Sequence, residues 1–561
     1  MPFKRIALIA FCIFLLTIPA DADDLESLAR DFWKWRAVHQ PLSGDDIPRL
    51  DRAPGWLPDW SAAAVAEQRR ALSAFEARWK KLDAARWPVA TQVDYRLVGS
   101  AIARVRWELD VTAGWQRNPL FYYHQTVGAI FDRLLEPPPF REERAEEIVR
   151  RLENIPRTIE QAKTNLTDSR APFARLAIGE LKDVRARMQT VVRELKPFLP
   201  ASHATRLDAP TEKAIAALES YRAWLEQKLP AMKQETAVGR ANYVFFLKNV
   251  ALLPFTPERL VEMGRQEWER AVAFESYEHN RNRRVPELKV PRYAADQMWQ
   301  MEKDDAAARR FLEERGIQTV PAWVRRYVLR PVPAYLAPLS GMGVNNDLTG
   351  PTRLDRDGTS WIPQPDPSLG YFYKAYASDP RTQIAHEGQG HYLQLVLSWA
   401  HENWLRRHYY DSGPNEGLAF YNEEMLLQAG FFEDSPRTRE VIYSFMRLRA
   451  LRVEVDVKLA IGEFTIERAA EYLRTVVPMD AKTALEEAAF FASAPGQAIT
   501  YQIGKLQIVR MLADARLKQG EKFTVRAFHD FVWKNGNVPL ALQRWELLGL
   551  RDEVDAVDAL R

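Results

Sequence analysis

The chain has 561 residues, 47% of them hydrophobic, with 78 Lys and Arg against 75 Asp and Glu. This balance excludes a disordered chain, a collagen-like repeat and a protein of many membrane spans, and a formal charge of +3 gives no general attraction to nucleic acid. The length allows two to four domains or one large helical body, and 17 Trp supply bulk for a wide core or a long apolar groove.

Residues 1–22 read as a signal peptide. Lys4 and Arg5 form a basic start, Ile6 to Ile18 is apolar but too short to span a bilayer comfortably, and Ala20-Asp21-Ala22 offers a small-x-small cleavage site. The expectation is an exported, periplasmic protein with no membrane span after cleavage. The one cysteine, Cys12, follows Phe11 inside this segment, which does not suit a lipid-attachment site, so the mature chain is expected without thiol or disulfide chemistry.

Residues 23–284 read as a helical N-terminal half. Ala145, Ile148, Val149, Leu152, Ile155 and Ile159 recur at three- and four-residue steps, and proline clusters such as Pro137-Pro138-Pro139 punctuate the helices. No fixed-period repeat is present. Residues 285–561 read as a catalytic half. Its first part, 285–379, is rich in Pro, Gly and Asp, and Tyr327-Val328-Leu329 and Tyr371-Phe372-Tyr373 resemble short strands. Helical patterning then returns over 380–561. The fold class expected is mainly α, with a small β-containing insert before the segment that carries the chemistry.

That segment is Ile384-Ala385-His386-Glu387-Gly388-Gln389-Gly390-His391-Tyr392. Two imidazoles and a carboxylate on one helix supply two neutral metal ligands and a base for a metal-bound water, as a zinc hydrolase requires. In a regular α-helix, histidines four apart differ by about 40° around the axis, whereas five apart, as here, they differ by about 140°. One extra residue taken up as a π-bulge would realign them, and Gly388 and Gly390 would tolerate the distortion. A third ligand is expected from the next helix. Asn415 reads as its N-cap and Glu416, 25 residues beyond His391, as its opening residue and the metal ligand. Glu423, seven further on, shares its face and would orient a histidine from the second shell. Tyr501 is the candidate donor to the oxyanion, and His529 the alternative donor or the acid for the leaving amine. His401, Glu402 and His408 read as a solvated continuation of the long helix in preference to a second metal site, and His124, beside Tyr122 and Tyr123, as core in preference to the lining of a groove.

These residues resemble a known family. Gly390-His391 with Leu393-Gln394, then Glu416-Gly417-x-Ala419-x-Tyr421-x-Glu423, Pro495-Gly496-Gln497, Tyr501-x-x-Gly504, Phe528-His529-Asp530 and Asn535-Gly536-x-x-Pro539-Leu540 are similar to the motifs of the domain of unknown function 885 family of bacterial metallopeptidase-like proteins. The resemblance implies a helical fold of the gluzincin zinc-peptidase type. This chain departs from the family's H-E-x-x-P-G-H-H, and its His386 to His391 segment is similar to the H-E-x-x-G-H helix of the dipeptidyl-peptidase III class. Leu418 stands where the family has Trp.

The function expected is that of a zinc metallopeptidase, with Zn2+ on His386, His391 and Glu416, Glu387 as base, and a peptide as substrate. Two alternatives remain open. One is a helical periplasmic binding or scaffold protein with a degenerate metal site. The other is a zinc amidase acting on a non-peptide amide.

Overall fold

The computed structural model describes residues 20–42, 52–477 and 479–561. Apart from residues 20–22, the expected signal peptide with Cys12 lies outside the described residues. Among the described residues no helix is long and apolar enough to cross a membrane.

Helices carry most of the chain, and their ends follow from local chemistry. Pro119–Leu134 starts with proline in its first turn, where a missing N–H costs nothing, and the Asn118 side chain accepts from Leu120 N. Glu142–Asn165 opens on Glu142 and Glu143 and buries Ile148, Val149, Leu152, Ile155 and Ile159, the stripe expected from their spacing. Burying each such side chain contributes roughly 1.5–3 kcal/mol. The largest apolar cluster draws on residues from Leu25 to Leu225 and also takes in Tyr335, Trp361, Leu405, Val538 and Trp545, so one core crosses the boundary at 284/285.

The β-structure is one small sheet in the expected insert. Strands β1 (Tyr327–Pro331), β2 (Asn346–Asp347) and β3 (Gly358–Ile362) lie in the order β1-β3-β2. β1 pairs parallel to β3 with Tyr327 opposite Gly358, and β2 pairs antiparallel with Asn346 opposite Ser360. The sheet lies directly against the histidine helix: a Cβ at Gly358 would come within 2.7 Å of the Tyr392 ring. Tyr371-Phe372-Tyr373 is not a strand. It is the first turn of a helix, Tyr371–Ser378, in which Tyr371, Phe372 and Tyr376 pack on Phe445. Eight residues are too few to show a helical period, and three aromatics in a row fit a strand equally well.

Candidate metal centre

The helix over 381–399 is α-helical at both ends and π-helical from Ile384 to Tyr392. At its close the Leu393 N–H reaches back five residues to the Gly388 carbonyl. This wider turn stacks residues five apart, which the histidine spacing requires. Two carbonyls of the distorted stretch are held by side chains: Asn422 Nδ2 donates to Ala385 O at 2.6 Å and Trp533 Nε1 to Gln389 O at 2.9 Å. The glycines do more than tolerate the turn. A Cβ at Gly390 would sit 2.8 Å from Ala419 Cα, so Gly390 admits the neighbouring helix, Ser412–Ala429. Gly388 has no such role, because a Cβ there would meet Tyr327 at an ordinary 3.5 Å.

The second helix starts earlier than expected. Asp411, not Asn415, is the N-cap, accepting from Gly413 N at 2.8 Å, and Glu416 lies inside the helix instead of opening it. The Asn415 side chain instead donates to Gln394 Oε1, and Gln394 in turn donates to Asn537. Pro414 hid this start, since proline in a first turn gives the same pattern whether the cap lies before or after it.

Three donor atoms converge. His386 Nε2 is 3.2 Å from His391 Nε2, and Glu416 Oε2 is 3.4 Å from the first and 3.3 Å from the second. Bonds of about 2.0–2.1 Å put neighbouring ligands of a tetrahedral zinc about 3.3–3.4 Å apart, so the triangle fits that ion without movement. The three side chains are buried, Glu416 completely. Glu423 lies on the other side of the His386 ring, with Oε1 2.7 Å from Nδ1. Nδ1 also lies 3.3 Å from Arg449 Nη2; with its proton turned to Glu423, the Nε2 lone pair would face His391 and Glu416. Burial and the Arg449 charge push the His386 imidazolium down, but hydrogen bonds to Glu416 and Glu423 outweigh them and lift it to about 9. The carboxylates thus favour a cation at this spot.

Two residues absent from the sequence reading complete the centre. Arg449, only 2% exposed on the helix Pro436–Ile461, forms an ion pair with Glu423 Oε1 at 2.8 Å. Asn346 of β2 donates to Glu387 Oε2 at 3.0 Å and so fixes the carboxylate next to His386. Neither belongs to a local motif. Both come from elements distant in sequence, where a lone Arg or Asn has no distinguishing pattern.

Tyr501 joins the group, its ring stacked on His386 at 6.3 Å between centroids and covered by the Arg452 guanidinium at 4.5 Å. His529 does not face the site. It is fully buried, Nδ1–H donates to Ile317 O at 2.9 Å, and Nε2 accepts from Tyr421 OH at 2.8 Å. Burial pushes its imidazolium down to about 4, so it is a neutral packing residue and not a proton donor. Tyr376 is a phenol the sequence reading missed: burial and the charges of Glu387 and Glu423 hold its ionisation well above the usual range, keeping it a neutral donor. His401 and His408 do not continue the long helix, which ends at Trp399. His401 is buried, accepting from Asn403 N and touching Asn535.

A cavity of about 1010 Å³ opens beside the centre. The three donors do not line it, but Tyr373 does, and its phenol feels the Glu387 charge. His124 lines this cavity and is not simply core; burial pushes it down to about 4, so it is neutral there. Several charges on the wall are paired among protein groups: Arg36 with Glu108, Arg104 with Asp411, and Glu180 with Arg187.

The sequence matches the family described as bacterial protein of unknown function (DUF885) over residues 49–547. The chain belongs to this family. Among curated proteins no sequence matches it. Two solved structures share the fold. One is a candidate lipoprotein of unknown function from Shewanella oneidensis, 16% identical, TM-score 0.71, covering 95% of this chain and 100% of its own. The other is a candidate lipoprotein from Colwellia psychrerythraea, 16% identical, TM-score 0.73, covering 96% and 99%.

Proposed function

We propose that this member of the family is an exported zinc-dependent peptidase. The observation that carries the reading is the buried triangle of His386 Nε2, His391 Nε2 and Glu416 Oε2, with sides of 3.2–3.4 Å, next to Glu387. These three residues would hold the ion, which when bound supplies a Lewis acid and lowers the pKa of a water. Glu387, oriented by Asn346, would be the base that accepts a proton from the attacking water and passes it to the leaving nitrogen. Tyr501, stacked on His386, is the donor to the oxygen that gains charge as the carbonyl is attacked. Glu423 and Arg449 hold His386 in the required tautomer. The π-turn supports this reading over a degenerate scaffold, because it brings two histidines five residues apart to one point. Export is supported by the basic, apolar and small-residue order of residues 1–22 and by the description of both structural neighbours as candidate lipoproteins.

The test combines metal analysis of protein purified without added metal with an assay on mixed peptides. Glu387→Gln is expected to retain the metal and lose at least 100-fold in turnover, the scale of general base catalysis. Near-normal turnover in that variant would sink the mechanism. Hydrolysis of cell-wall amides in place of peptides would move the assignment to an amidase.

A further inference from the structure

Tyr501 stands in the first turn of the helix Thr500–Gln519, and its ring lies nearly parallel to the His386 imidazole, with 12° between the planes. A catalytic group misplaced by about 1 Å can cost about 100-fold in rate, so the phenol needs more than one neighbour to fix it. Arg452 supplies a second. Its guanidinium carbon is 4.5 Å from the centre of the Tyr501 ring, and the residue is buried on the helix Pro436–Ile461. Phe491 and Phe372 complete the surroundings of the guanidinium at 5.4 and 5.6 Å. Glu487 holds the same group by two hydrogen bonds, from Nε to Oε2 at 2.9 Å and from Nη2 to Oε1. Glu487 and Phe491 are one turn apart on the helix Ala481–Ser493, so a single face delivers both. Arg449 also comes to 5.7 Å of the Tyr501 ring, but it is committed to Glu423.

We infer that Arg452 is a positioning residue for Tyr501: its guanidinium, fixed by Glu487 and laid on the phenol ring, keeps the donor aimed at the oxyanion. The inference rests on the peptidase reading and goes one step beyond it. A buried ion pair is weak evidence for stability, because apolar side chains of similar volume fill such a place as well or better. The place of this pair, over the ring of the donor, gives it another use. Arginine suits that use. A planar fork can take two parallel hydrogen bonds to a carboxylate and lie flat on an aromatic face at the same time, which a lysine ammonium cannot do. Arg449 and Arg452 are also one turn apart on one helix, so the same element steadies His386 through Glu423 and Tyr501 directly.

The test uses the zinc-loaded full-length protein and the paired variant Arg452→Met/Glu487→Gln, which removes both charges and leaves neither buried alone. On a peptide that the wild type cleaves, the paired variant is expected to lose about 10–100-fold in kcat, the scale of losing a group that orients a catalytic side chain, with KM and zinc content unchanged. Its crystal structure should show the Tyr501 ring displaced. Introduced into Tyr501→Phe, the same pair should cost nothing further, because it acts through that phenol. Arg452→Lys, the milder change, keeps the charge but not the fork and should also lose turnover. Unchanged kcat in the paired variant, an equal loss in the Tyr501→Phe background, loss of zinc, or full activity in Arg452→Lys each overturns the inference and leaves the peptidase reading standing. If the wild type cleaves no peptide, the peptidase reading falls, and the ring position alone decides: a displaced Tyr501 supports the positioning role, and one left in place overturns it.

Discussion

Glu416 and Glu423 grip the same imidazole from opposite sides, one at Nε2 and one at Nδ1, and that difference in address fixes their roles. Glu416→Ala removes a ligand and is expected to abolish stable zinc binding. Glu423→Ala removes only the acceptor that sets the tautomer, and should weaken binding by about 10–100-fold. It should also cost about 3–5 kcal/mol of stability, because Arg449 would lose its buried counter-charge. Metal titration and urea unfolding of the two variants decide this, and tighter zinc binding by Glu416→Ala than by Glu423→Ala would reverse the assignment. Both carboxylates were legible in the sequence because they recur seven apart on one helix. Arg449 was not, since its meaning comes only from the buried charge beside it. Asp456 makes a second prediction on the same helix as Arg449. It is fully buried, accepts from Gly496 N, Ala498 N and Tyr243 OH, and burial pushes its carboxyl up to about 6. A carboxyl raised in the folded state gives stability that is fully present below its unfolded value of 3.8 and lost as pH rises through about 6. Wild type compared with Asp456→Asn should therefore lose on the order of 3 kcal/mol of relative stability from about one unit below pH 3.8 to about one unit above pH 6, read by urea unfolding at both ends. A pH-independent difference would show that Asp456 ionises as freely in the fold as outside it.

At the scale of elements, the π-turn is held by its neighbours as much as by its own sequence. Asn422 and Trp533 each satisfy a carbonyl of the turn, and Gly390 lets Ala419 approach so closely that both helices bring their donors to one point. Gly390→Ala must push the helices apart, at an overpacking cost of about 1–3 kcal/mol. The triangle of ligands widens with them, so zinc affinity should fall along with melting temperature. Gly388→Ala meets only ordinary contact with Tyr327 and should leave both nearly unchanged, which makes it the matched control. Equal effects of the two substitutions would mean that backbone freedom, not the helix approach, is what the glycines provide. The turn itself was legible because histidines five apart admit no regular helix. The helix at Tyr371 was not: short elements carry too little periodicity, and the Pro- and Gly-rich surroundings pointed to strands. The end of the histidine helix at Trp399 was hidden for a related reason, since His401 and His408 are polar residues that a solvated helix would equally accept.

At the scale of the molecule, the composition signalled a helical body with room for a groove, but nothing in it showed that the first 284 residues and the rest share a core and a cavity wall. Long-range pairing of that kind leaves no local pattern. Arg104 and Asp411 join the two stretches at 2.6 Å beside the cavity, and Asp411 is also the N-cap of the helix that carries Glu416. Burial raises the Asp411 carboxyl, and the Arg104 guanidinium and the Gly413 N–H offset only part of that rise. The two partners can be separated experimentally. Arg104→Met removes the charge across the contact but leaves Asp411 to accept from Gly413 N. Asp411→Ala removes the cap as well, a further loss of roughly 1 kcal/mol, five residues before Glu416. Calorimetry should show one transition for the wild type and for both variants, because a shared core leaves no part to unfold alone. Both variants should melt lower, and Asp411→Ala alone should bind zinc more weakly, since fraying of the first turn loosens the segment that positions Glu416. Two separate transitions in the wild type, or equal zinc affinity in the two variants, would show that the stretch before residue 285 is a cover laid over the metal centre and not part of the structure that holds it.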